Sequence, residues 1–480
     1  MNSGSITNFG GNQSFTPRSV LAPRSEAELL QILADCRGRR IRTIGRLHSW
    51  SEAAVGDDVV LDLQHFRDVK VEHRDDKFWV TAGAGCQIKR LLSELSRLSA
   101  GTLPSLGLIN EQTIAGAIST GTHGSGKSSM SNFIEEVRIA AYDSKTGSPV
   151  IRTIRGGDEL RAARCSLGVL GIIVSIGFWS RPSYRVEEHF QLYADLENIL
   201  AKEDEYPLQQ FFLMPWSWEF IVQHRRETLS PRGGWATLYR LYVSLQFDVG
   251  LHLLVLLGAR IWRSPRFVRF LFRHVAARLV IMNWKVVDDS SKMLVMEHEL
   301  FRHIECELFV KTSQLVAAIK FVRQSLKYFD GDVDAFDVNI RDRLQNDNLL
   351  GLLDGQCGKY THHYPICIRR VLPDDTLISM TAGAPEPSYA LSFISYARTT
   401  DRQGFLAFAE FMTQAMGVLF DARPHWGKIC PLTANDAARL YAQLPEFCRI
   451  ASEFDEAGVF RNEWISRVLF PNEMPDTRAS

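Results

Sequence analysis

The chain has no surplus of charge of either sign: 55 basic residues face 55 acidic ones over 480 positions. A general nucleic-acid binder needs a positive surplus to displace counterions, so that class has no electrostatic support, and no nucleic-acid partner is expected. Paired cysteines are missing too. The eight present (Cys36, Cys86, Cys165, Cys306, Cys357, Cys367, Cys430 and Cys448) stand singly, and no C-x-x-C occurs. A structural zinc site or a redox dithiol therefore lacks its ligand spacing, and no metal is expected. The opening Met1-Asn2-Ser3-Gly4-Ser5 shows neither a basic stretch nor an apolar core. No secretory leader is read, and single thiols suit a reducing cytoplasm. The apolar run Leu251–Ala259 is too short to cross a bilayer. Internal repeats and low-complexity tracts are absent, and neither of the chain's Gly-rich loops reads G-x-G-x-x-G.

What is present fits two domains, because 480 residues exceed what one hydrophobic core organises. Ser25-Glu26-Ala27-Glu28 is a capping-box pattern ahead of a helix ending near Cys36. Strands are expected at Arg40–Ile44, Val59–Leu63, Phe78–Ala82, Val137–Ala141 and Gly171–Ile176. Helices fall near Gln87–Leu98 and Asp158–Ala163. Past Arg185 aromatics rise and the Gly-rich loops stop. Strands near Ile304–Val310, Ile366–Leu372, Thr376–Met380 and Tyr389–Tyr396 alternate with helices near Ser313–Leu326 and Gly404–Met416, and Ala437–Phe470 is largely helical. The fold class is α+β, with an antiparallel sheet and covering helices in the second unit.

Two segments carry the chemistry. Gly45-Arg46-Leu47-His48-Ser49-Trp50-Ser51 and Thr113-Ile114-Ala115-Gly116-Ala117-Ile118-Ser119-Thr120-Gly121-Thr122-His123-Gly124-Ser125-Gly126 are rich in glycine and hydroxyls and nearly free of charge. Such stretches let a backbone approach a pyrophosphate and offer it N–H and O–H donors. Gly121–Ser128 also satisfies G-x-x-x-x-G-K-[ST]. A P-loop needs a buried strand before it and a helix after it. Ala115–Thr120 is small and polar, and Ser128–Asn132 starts a helix poorly, so that reading is set aside.

Together with Ala422-Arg423-Pro424-His425-Trp426-Gly427-Lys428, these segments resemble the vanillyl-alcohol-oxidase superfamily, within it the aldonolactone oxidase and alditol oxidase branch. The similarity runs from about residue 8 to 470 and is weakest between Arg185 and Met296. It implies a PCMH-type FAD-binding domain (1–184), a cap or substrate domain (185–420) and a C-terminal segment (421–480) that returns to the FAD domain. It implies bound FAD, with His48 forming the 8α-histidyl bond. No cysteine lies between Gly101 and Gly126 to make a second one. Gly45, Arg46, Leu47, Ser49, Thr113, Gly116, Ser119, Thr120, Gly121, Thr122, Gly124, Gly171 and Ile173 would line the cofactor, with His123 a packing group.

For the reaction, the resemblance implies oxidation of a carbinol. Lys428 would polarise the hydroxyl oxygen, and His425 would orient Lys428, touch the flavin or serve structurally. Arg369 corresponds to the family arginine, and strand alternation puts Cys367 on its face. Relatives carry glutamate at the position of Cys367, so the arginine is expected to lose its ion-pair partner. Glu307 could supply acid elsewhere in the pocket or be a strand-edge charge. Ser392 stands where alditol oxidases carry histidine, which points away from alditols. The implied substrate is a sugar-1,4-lactone, with O2 or another acceptor reoxidising the flavin. Alditols, an apolar or lipid-linked alcohol, and a flavin-loaded membrane-surface module without activity are the alternatives. Arg260, Arg263, Arg266, Arg269, Arg273 and Arg278, interleaved with aromatics inside 235–284, fit either an interfacial helix on anionic lipid or a hairpin packed on the cap. The location expected is cytoplasmic, with peripheral membrane contact open.

Overall fold

The computed structural model describes residues 4–261, 263–296, 302–396 and 402–471. Ser25 caps the first helix, Glu26–Asp35, by accepting the Glu28 N–H. The Glu28 carboxylate reaches back to the Arg24 N–H, so the box closes one residue further out than its pattern implies. Leu29 and Leu33 of this helix enter one core with a three-stranded parallel sheet ordered Ser19–Leu21, Val59–Asp62, Ile41–Ile44. A five-stranded antiparallel sheet joins the same core, ordered Val69–Arg74, Lys77–Gly83, Ile172–Trp179, Glu136–Tyr142, Pro149–Ile154. Its two edge strands, Val69–Arg74 and Pro149–Ile154, carry almost no fully buried side chains, and their apolar signal is short: Val69 and Val71 alternate with charge before the strand turns wholly polar.

The second unit is an eight-stranded antiparallel sheet. Its order is Val286–Asp289, Arg185–Tyr193, Phe220–Thr228, Gln210–Leu213, Ile366–Val371, Ser388–Ser395, Ile304–Lys311, Arg423–Pro424. Helices Leu315–Asp330 and Gln403–Phe420 share an aromatic core with one face, built on Phe321, Phe329, Phe405, Phe408 and Phe411. Alternation along Ile304–Lys311 separates the two faces. Cys306, Leu308 and Val310 belong to this helical core, whereas Phe309 belongs to the core of the first unit. The opposite face of the sheet therefore looks toward the Gly-rich loops.

The expected strand Thr376–Met380 is a turn. The buried Asp374 carboxylate accepts hydroxyls from Ser129, Thr376, Ser379 and Thr381, and these bonds curl the segment instead of extending it. After Lys428 the chain goes back to the first unit. Helices Ala434–Leu440, Leu444–Phe454 and Glu463–Leu469 bury Phe447, Ile450, Phe454, Trp464 and Ile465 in the same core as the parallel sheet.

The short apolar run near Leu251 is part of a longer element. Ala236–Gly258 is one continuous helix of 23 residues, long and apolar enough to cross a membrane by length and composition. The sequence reading underestimated it because Arg240 and Asp248 interrupt the apolar pattern. Pro265 opens a separate helix, Pro265–His274, whose Ser264 cap accepts the Phe267 N–H.

Candidate active site

The strand Ile41–Ile44 delivers the loop that carries His48. Leu47 turns it with a positive φ of 55°, and three bonds then fix it. Trp50 N–H donates to Gly427 O at 2.8 Å, Ser49 Oγ donates to the same carbonyl at 3.1 Å, and Trp50 Nε1–H donates to His303 O at 2.7 Å. The first loop is thus tied directly to the segment bearing Lys428. Phe9 stacks on the His48 ring with centroids 4.9 Å apart. Burial, with Arg46, His303 and Lys428 adding to it and Glu111 opposing, pushes the imidazole down to about 4. At neutral pH it is uncharged and keeps a nitrogen lone pair.

The second segment meets the first. Within it Ile114–Ser119 forms a short helix after Thr113, where the sequence suggested only a loop. A Cβ on Gly45 would stand 2.4 Å from Thr113 Oγ1, so the contact of the two segments requires glycine there. Arg42, which the sequence reading missed, bridges the far end. Its buried guanidinium donates to the carbonyls of Ala53, Leu167 and Phe460, and burial lowers it to about 10.

One cavity of about 270 Å³ runs between these loops and the cap sheet. His48, Gly45, Arg46, Leu47, Ser49, Thr113, Gly116, Ser119, Thr120, Thr122, Gly171 and Ile173 all line it. So do Lys428, Arg369, His425, Glu307, Cys367 and Ser392. Gly121 and Gly124 do not; a Cβ on Gly124 would sit 2.3 Å from Leu106 O, which makes it a packing glycine behind the wall.

The cap sheet forms the opposite wall in registered rows. One row reads Phe212, Cys367, Ser392, Glu307, and the next reads Gln223, Gln210, Arg369, Ala390, Phe309. Arg369 reaches across to Glu307 and forms a buried ion pair with it. The expectation that Cys367 strips the arginine of its partner is therefore corrected, because the acid comes from Ile304–Lys311, two strands along the sheet. Burial pushes the Glu307 carboxyl upward, and the stronger pull of Arg369 and His123 leaves it well below the usual carboxylate range. Burial raises the Cys367 thiol to about 11, so it stays neutral.

Glu305, two residues before Glu307 and on the same face, was not singled out from the sequence. It holds the Lys428 ammonium and accepts the Ser392 hydroxyl. The ammonium also lies 4.4 Å from the Trp50 ring centre. His425 shapes the turn that presents it. Its Nδ1 accepts the Gly427 N–H at 2.9 Å, which puts the ring proton on Nε2, and burial keeps the ring neutral. His123 Nδ1 donates to Gly124 O at 3.0 Å, and its Nε2 faces Glu307 at 3.5 Å.

These residues fit a large, partly anionic aromatic cofactor. The loops give a glycine and hydroxyl cradle at one end, and the cap wall offers fixed cations at the other. Arg369 Nε is buried in this wall without a hydrogen-bond partner, as expected of a group that awaits a ligand. The fold and the site define an FAD-dependent oxidoreductase.

Comparison with known proteins agrees. Residues 17–146 match the family model of the FAD binding domain, and residues 181–468 match that of D-arabinono-1,4-lactone oxidase. A long-chain alcohol oxidase from an uncultured marine euryarchaeote is 50% identical over 462 residues, covering 96% of each chain. An L-gulono-1,4-lactone dehydrogenase of Mycobacterium tuberculosis is 27% identical over 97% of this chain and 99% of its own. In fold, the crystal structure of cholesterol oxidase from B. sterolicum superposes with a TM-score of 0.73 over 97% of this chain and 96% of that one, at 15% identity. The chain belongs to the D-arabinono-1,4-lactone oxidase family.

Proposed function

We propose that the protein oxidises the carbinol of a long, apolar primary alcohol to the carbonyl. The observation that carries this reading is the apolar part of the lining of the cavity that also holds Glu305 and Lys428. Phe190, Phe212, Val243, Met296 and Ile394 line it, together with Tyr364 and Tyr396. A sugar lactone or an alditol presents several hydroxyls and needs as many polar partners. Cys367 and Ser392, where such partners stand in the branch this chain resembles, offer a neutral thiol and a hydroxyl already bonded to Glu305. The 50% identical relative named a long-chain alcohol oxidase supports the same substrate class.

FAD, when bound, accepts the hydride from the carbinol carbon. Gly45, Thr113, Ser119 and Gly171 would hold it, with His48 attached to the ring. The neutral His48 nitrogen has the lone pair that such a bond requires. Glu305 takes the hydroxyl proton. It lines the cavity and lies against Lys428, the donor assigned to the same substrate oxygen. Lys428 donates to the substrate oxygen as negative charge develops on it. Arg369 brings a second fixed cation to the same wall.

Turnover with a series of primary alcohols from butanol to hexadecanol tests the reading. Each buried methylene contributes about 0.8 kcal/mol, so kcat/KM should rise roughly fourfold per carbon until the cavity is filled. A flat series, or turnover of gulono-1,4-lactone above that of dodecanol, would overturn it in favour of the lactone.

A further inference from the structure

The helix Ala236–Gly258 leaves most of its apolar surface uncovered. Leu238, Leu241, Leu245 and Leu253 are each at least half exposed, and Trp235 at its start is 79% exposed. Phe270, Leu279 and Ile281, on the segment that follows, extend this surface. The same stretch is strongly basic on a chain without net charge, since 235–284 holds seven arginines and one aspartate. Arg266, Arg273 and Arg278 are exposed, and Arg266 and Arg278 take no ion pair among the described residues. An apolar face bordered by cations matches a lipid surface with anionic headgroups. A second copy of this chain would set arginines against arginines, which disfavours self-association through the patch.

The helix is bound to the cap near both ends. The buried Tyr239 hydroxyl bonds to Glu188, and the buried His252 imidazole bonds to the Tyr396 hydroxyl. With Ala236 and Val255 also buried, both ends of the helix are anchored on protein, which favours a helix lying on a surface over one crossing it. Val243 of this helix and Tyr396 both line the cavity that contains Lys428. The exposed apolar face and the reaction site therefore share one wall.

We propose that the helix 236–258 and the segment 263–281 form a docking face for an anionic bilayer, and that substrate passes from the lipid into the cavity beside Val243. The first part stands on the surface alone; the second rests on the long-chain alcohol reading. Flotation of the holoprotein with vesicles of phosphatidylcholine alone, or mixed with phosphatidylglycerol, tests the docking without any substrate. The protein should float with the mixed vesicles, and about 0.5 M salt should release much of it. The Leu241→Ser/Leu245→Ser pair, which leaves the cavity lining unaltered, should lower partitioning by about tenfold or more while flavin content stays unchanged. A protein that stays in the aqueous fraction with mixed vesicles would overturn the docking, as would a dimer in sedimentation velocity that this variant dissociates. For delivery, the variant should lose turnover of vesicle-borne dodecanol but keep turnover of dissolved butanol. Docking without turnover of any alcohol would uphold the surface and overturn the substrate.

Discussion

Lys428 is held by three groups drawn from three parts of the chain: the Glu305 carboxylate, the Trp50 ring and the turn shaped by His425. Lys428→Met should lower kcat by about two to three orders of magnitude, because it removes a donor aimed at developing charge, with little change in Tm. Glu305→Gln should cost about as much in kcat if it takes the proton, and steady-state assays at several pH values check both. His48→Ala should abolish the fluorescent band that the boiled wild-type protein gives on a denaturing gel. A dark wild-type band would refute the covalent bond. Much of this residue-scale picture was legible, since His48, Lys428 and Arg369 stand in recognisable motifs. Glu305 was not, because a lone strand glutamate carries no motif. Two-residue alternation with Glu307 was the available signal, placing both acids on one face.

At the scale of elements, the site depends on segments distant in sequence that return to the first loop. Asn462 shows how. Its side-chain oxygen caps the helix Glu463–Leu469 through the Ile465 N–H at 2.9 Å, while its amide donates to Glu52 O at 2.8 Å and Val55 O at 3.0 Å. Asn462→Ala should destabilise the apoprotein by about 1–2 kcal/mol and slow flavin uptake, measured by denaturant unfolding and by the rate of yellow-colour recovery. Elements with a buried face were readable from periodicity, as with Val59–Asp62 and Glu136–Tyr142. The edge strands left only a brief one, two alternating valines in Val69–Arg74, and Thr376–Met380 read as a strand because nothing local reveals that Asp374 will gather its hydroxyls. The 236–258 helix was shortened for a similar reason: its polar interruptions stand within the element and do not mark its ends.

For the whole molecule, the two units enclose the cavity, and the second contributes groups whose protonation is tied to folding. Burial lowers His362 to about 3 and His363 to about 4, and His224 also falls to about 4. In each case the unfolded chain binds the proton more readily than the folded one. The stability they affect is complete above the unfolded value near 6.5, and it declines as pH falls toward the folded values. Each such group removes up to about 1.4 kcal/mol per pH unit in that window. Glu307, held well below the usual range, adds a further loss below about 4.5. Denaturant unfolding at pH 7.5 and 5.5 should give the lower stability at 5.5; equal values would contradict the neutral, buried state of these histidines.

The central claim is that this cavity takes a long apolar alcohol and passes its hydride to the flavin. Anaerobic mixing of the yellow holoprotein with dodecanol, xylitol or gulono-1,4-lactone tests it most directly, because flavin bleaching reports the reductive step whatever acceptor follows. Rapid loss of flavin absorbance with dodecanol, and little with either sugar compound, is the predicted result. Bleaching by the lactone with none by dodecanol would contradict the account and return the pocket to the lactone chemistry of its family.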